Sequence, residues 1–137
     1  MKHNVVLTVA SLLSILFMTL HLTDDIVRGM EPGTLSDLIP VPILAVWLYG
    51  TLVLAEKGSG YAIIFLGSLL GLVVPVVHMR GVGVGGAIAK STGAFFFIWT
   101  LYALGVTALF SVMLSARGLW QRLPWGIAAQ QKHGARA

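Results

Sequence analysis

The chain has 137 residues, 57% of them hydrophobic and only 10% charged. A soluble domain carries about 25% charged residues, so this composition excludes a surface that faces water all round. The net charge is +4, but Lys and Arg sit at the ends of apolar runs and not on one face, which argues against nucleic-acid binding and suits anchoring at a bilayer surface. There are no cysteines, which excludes disulfides, iron–sulfur ligation and thiol redox chemistry within the chain.

Four runs lack any Asp, Glu, Lys or Arg: 5–22, 38–55, 61–77 and 91–115. A helix needs roughly 20 apolar residues to span about 30 Å of hydrocarbon, and inside lipid the backbone must satisfy its own hydrogen bonds. The sequence therefore predicts an all-α integral membrane protein, an antiparallel four-helix transmembrane bundle forming one domain over 1–137. Its predicted helices cover about 4–28, 37–56, 60–79 and 91–116, followed by a polar, basic tail over 117–137. Lys2 and the first apolar run resemble a secretory signal, but the run continues into His21-Leu22-Thr23-Asp24-Asp25 with no small-x-small cleavage site. The reading is a retained helix.

The first loop is acidic and carries the turn Glu31-Pro32-Gly33. Ser36 or Asp37 is the expected cap of the second helix, with Pro40 and Pro42 tolerated in its first turns. The five residues Glu56-Lys57-Gly58-Ser59-Gly60 form a tight hairpin that makes the second and third helices antiparallel neighbours. The third loop is glycine-rich; Gly81-Val82-Gly83-Val84-Gly85-Gly86 lacks a preceding strand and a Gly-Lys-Ser/Thr end, so it is not a phosphate loop. A flexible cover over the outer end of the bundle, or a short re-entrant turn, is the expected role.

Orientation follows Lys and Arg. One side carries Lys2, Lys57, Arg117, Arg122, Lys132 and Arg136, and the other Arg28, Arg80 and Lys90. The positive-inside rule places both termini in the cytoplasm, in a membrane of the bacterial inner (plasma) type, with Trp120 and Trp125 as an inner aromatic belt.

Close packing in lipid falls to small residues. The predicted interior faces are Ala10, Ser11 and Ser14, leading to Phe17 or Met18 and then His21; Gly67-x-x-x-Gly71, leading to His78; and Thr100, Ala103, Thr107 and Ser111. Pro75 removes the donor for the Gly71 carbonyl and predicts a kink.

One constellation can carry chemistry. His21, Asp24, Asp25 and Arg28 fall at i, i+3, i+4 and i+7 and share a helix face. His78 and Arg80 end the third helix on the same, outer side. His21, Asp24, Asp25 and His78 are candidate ligands for a transition metal through nitrogen and oxygen. Alternatively, His21 and His78 are candidate axial ligands of a b-type haem, or the cluster takes a small polar ligand with Arg28 and Arg80 as charge partners. Beside these stands a plain structural account: the carboxylates pair with Arg28 and Arg80 at the headgroups, contributing at most about 1 kcal/mol each.

Small multidrug transporters have a similar size but a glutamate embedded in the first helix, which this chain lacks, and the cysteine pair of vitamin K epoxide reductase-like proteins is also absent. Two further readings remain open. One is an accessory subunit that assembles with itself or a membrane-complex partner through its small-residue faces. The other is a small transporter, against which the lack of a mid-membrane charge counts.

Overall fold

The computed structural model describes residues 2–29, 34–80, 90 and 92–122. They form four α-helices: α1 (Lys2–Val27), α2 (Pro40–Leu52), α3 (Gly58–Arg80) and α4 (Ala94–Trp120), with a 3-10 turn at Leu35–Leu38 before α2. The Glu31-Pro32-Gly33 turn, the glycine-rich third loop, Trp125 and the tail beyond Arg122 lie outside the described residues.

At about 1.5 Å per residue, α1, α3 and α4 reach roughly 35–40 Å, enough to cross the hydrocarbon core. These three helices are long and apolar enough to span a membrane. The second apolar run departs from expectation, because α2 has only 13 residues and a length of about 20 Å. Its ends explain the shortfall. Leu38 belongs to the 3-10 turn, and the helix opens at Pro40, whose missing N–H suits the first helical position. The cap position is Ile39, without a side-chain bond, not Ser36 or Asp37. Past Leu52 the chain turns, with the Lys57 amide donating to the Leu54 carbonyl at 2.8 Å. The apolar run 38–55 thus covers a turn, a short helix and the start of a hairpin.

α4 packs most extensively, against α3 and α1, while α2 leans mainly on α3. Contacts fix the register. Gly71 faces Ala108, Gly105 faces Pro75 and Gly118 faces Tyr61 across α3 and α4. Leu7 of α1 clusters with Ile64 of α3, and His21 meets His78. α3 therefore runs alongside α1 and opposite to α4. α3 continues through Pro75 to Arg80.

The expected interior face of α1 is buried at Ala10, Ser11, Ser14, Met18 and His21, with Phe17 half-buried. On α4 the buried face includes Thr100 and Ser111, but Ala103 and Thr107 are half-buried and Leu101, Leu104, Ala108 and Ser115 take the interior. α4 touches two long helices, so its buried stripe is wider than hydroxyl spacing alone defines and is rotated toward α3. Gly67 lies against the indole of Trp47, where an added Cβ would meet the ring at 2.5 Å. The glycine lets α2 dock on α3 through a large side chain, despite the shortness of α2.

Candidate metal centre

The last two turns of α1 present His21 and Asp25 at i and i+4, the spacing that stacks side chains on one face. The last turn of α3 presents His78. The three meet at the end of the bundle near the start of α4. His21 Nε2 lies 3.6 Å from Asp25 Oδ2, and His78 Nε2 lies 3.5 Å from the same oxygen. One ligand atom from each residue can be chosen so that all lie within 4.8 Å of one another.

The site is largely buried, with His78 the most open of the three. His21 is fully buried and Asp25 is 5% exposed. The two imidazoles meet edge to face with centroids 4.7 Å apart. Phe97, from the first turn of α4, packs against both rings, at 5.0 Å from His21 and 5.5 Å from His78. Phe97 is itself fully buried beside Leu101, with Val74 and Ile98 around them.

The histidines differ in what holds them. His78 Nδ1 lies 2.9 Å from the Val74 carbonyl. Since a carbonyl only accepts, Nδ1 is the donor in that contact, and Nε2 is the nitrogen on the side of Asp25. This is the outer bond that orients metal-binding histidines. Neither ring nitrogen of His21 has a hydrogen-bond partner among the described residues. Leaving a buried polar group unsatisfied costs about 1–3 kcal/mol.

The other predicted site residues lie elsewhere. Asp24 is not one of the three converging groups and accepts from Arg28 Nε at 2.7 Å. Arg28 also donates to the carbonyls of Thr92 and Gly93, at 3.2 and 2.9 Å, and its guanidinium stands 5.9 Å from the centre of Phe97. Gly93 has φ of 79°, in the left-handed region, and caps α4. Asp24 and Arg28 thus tie α1 to the start of α4 and press Phe97 toward the histidines. Arg80 closes α3; its side chain lies outside the described residues.

These positions test the two cofactors. Bonds of about 2.1 Å at the tetrahedral angle place neighbouring ligand atoms about 3.4 Å apart. The two carboxylate–imidazole separations already match that edge, and two nitrogens with one carboxylate oxygen suit zinc or non-haem iron. A haem fits poorly, because the macrocycle must lie between its axial ligands, and the edge-to-face contact of His21 with His78, flanked by Phe97, leaves no slot.

Sequence reasoning missed Phe97 and the Val74 carbonyl. Phe97 is one of three consecutive phenylalanines, and only its three- and four-residue spacing to Thr100 and Leu101 selects it. The Val74 contact follows from the i−4 reach of a helical histidine. No protein family matches the chain, and neither a curated protein nor a solved structure matches it.

Proposed function

We propose that the chain is a multi-pass membrane protein that binds one divalent transition metal at the end of its bundle. The ligands are His21 and Asp25 of α1 and His78 of α3. The observation that carries this reading is the meeting of two imidazoles on one buried carboxylate oxygen at 3.6 and 3.5 Å, with the buried His21 nitrogens lacking any other described partner. Two neutral imidazoles and one carboxylate neutralise half the charge of a divalent ion. Three protein ligands also leave at least one coordination position open, as sites do that bind or activate a small molecule rather than merely brace a fold.

By the distribution of Lys and Arg, the metal end faces outward and both termini face the cytoplasm. The test is titration of purified protein with Co²⁺, followed by its visible absorption, and with Zn²⁺ by competition. One equivalent should bind to the native protein. His21→Ala and His78→Ala should each abolish the absorption while the helical circular dichroism is kept. Equal binding by both variants and the native protein would defeat the proposal.

A further inference from the structure

A second polar cluster lies deeper in the bundle, ten residues along α1 from His21 and so about 15 Å away. Its first part is a closed chain of hydrogen bonds between α1 and α2. Trp47 Nε1 donates to Ser11 Oγ at 2.9 Å. Thr51 Oγ1 donates to the Trp47 carbonyl at 2.9 Å, which commits its proton. The 2.7 Å contact between Ser11 and Thr51 therefore has Ser11 as donor. Ser11 Oγ then retains one lone pair, because a hydroxyl accepts twice and only Trp47 has taken a place.

The second part is two hydroxyls that the packing does not explain. Ser68 of α3 and Ser111 of α4 are both fully buried, and neither Oγ has a hydrogen-bond partner among the described residues. Other buried hydroxyls on these helices bond back to the preceding turn: Thr100 donates to the Phe97 carbonyl at 3.0 Å, and Ser115 donates to the Ser111 carbonyl. Ser68 and Ser111 do not.

The register brings the parts together. Gly71 faces Ala108, and Tyr61 faces Gly118; stepping three or four residues along each helix places Ser68 opposite Ser111. Leu7 shares a core cluster with Ile64, and His21 meets His78; both relations give the same offset between α1 and α3, which places Ser11 level with Ser68. Three helices thus deliver a hydroxyl to one layer, and α2 supplies the bonds that orient the first. Above the layer Leu101, Leu104 and Ala108 are buried, and the hydroxyls there, Ser14 and Thr100, are committed to backbone carbonyls, so the layer is separate from the metal end.

We propose that this layer is a binding site for one structural water, which bridges Ser68 and Ser111 and donates to the free lone pair of Ser11. Buried waters typically make about three hydrogen bonds, and this layer offers two unpartnered hydroxyls and the spare lone pair of Ser11. The water replaces direct helix–helix hydrogen bonds and fastens α1, α3 and α4 where small residues let them approach. The site takes water, not a metal, since the layer contains no carboxylate or imidazole.

The experiment pairs two readings on the full chain in phosphatidylcholine bilayers. Solid-state NMR with magnetisation transferred from water protons should give early signals at the Cβ of Ser68 and Ser111, and Ser68→Ala should weaken the signal at Ser111. Unfolding in dodecyl sulfate should show that Ser68→Ala and Ser111→Ala each lower the midpoint, with the double variant no lower than the worse single one. Absence of water transfer at both serines, or strictly additive midpoint shifts, would overturn the bridge. Alanine at these positions is small and helix-compatible, so either result is read on a folded protein.

Discussion

The carbonyl of Val74 and Nδ1 of His78, one helical turn apart, lie 2.9 Å from each other. This contact holds the ring by its Nδ1–H and turns Nε2 toward Asp25. It makes α3 an active partner in the site, since α1 alone supplies only His21 and Asp25. His21 and Asp25 are preset by helix geometry; their meeting with His78 depends on the register of α1 against α3. Packing therefore sets the site, and residues that bind are distinct from residues that brace.

The two adjacent aspartates should behave differently. Asp25 shares its oxygen with both histidines, whereas Asp24 accepts from Arg28. Asp25→Asn should weaken metal binding by more than the roughly 10–100-fold typical of losing an outer-shell partner. Asp24→Asn should change affinity less than Asp25→Asn does. Competition with a chromophoric chelator measures both, and equal losses would show that the carboxylates act as an undivided acidic patch.

Arg28 should govern the order of the start of α4. It joins Asp24 to the carbonyls of Thr92 and Gly93, and the ion pair is partly open to solvent. Arg28→Ala should cost about 1–2 kcal/mol, the scale of a few partly exposed charged hydrogen bonds. Hydrogen exchange at the amides of Phe96 and Phe97 should quicken, since both donate to the Gly93 carbonyl. Unchanged exchange there, with stability lost elsewhere, would remove Arg28 from this role.

Gly67 should tolerate no side chain while Trp47 stays in place. A Cβ there meets the indole at 2.5 Å, and overpacking of this kind costs about 1–3 kcal/mol. Gly67→Ala should be less costly in a Trp47→Leu background, where the ring is gone. The double-mutant cycle reads that coupling, and additive effects would mean that α2 is docked by other contacts.

Much of this was legible in the sequence, for physical reasons that also mark where legibility ended. The number and order of helices follow from long uncharged runs. The faces of α1 and α3 follow from small residues at helical spacing, which led to His21 and His78. Asp24 and Asp25 could not be separated, because positions i+3 and i+4 from His21 share a face; only the approach of His78 on α3 singles out Asp25, while Asp24 pairs with Arg28 one turn on. The length of α2 was hidden because an apolar run looks the same whether it is helix, 3-10 turn or hairpin. Phe97 was hidden among three phenylalanines because hydropathy does not distinguish a ring packed on imidazoles from one facing lipid.

The short α2 leads to a final prediction about topology. With 13 helical residues and about 20 Å of length, α2 is too short to cross a bilayer of about 30 Å unaided. The 3-10 turn Leu35–Leu38 before it and the hairpin after it must make up the distance if the segment crosses. The chain has no native cysteine, so single-cysteine variants report accessibility without background. Thr34→Cys and Lys57→Cys flank the segment. Labelling with a membrane-impermeant maleimide on intact cells should mark Thr34→Cys, and Lys57→Cys only after permeabilisation. Labelling of both from outside would put the start of α3 on the same side as the end of α1, and would overturn the parallel packing that brings His21 to His78.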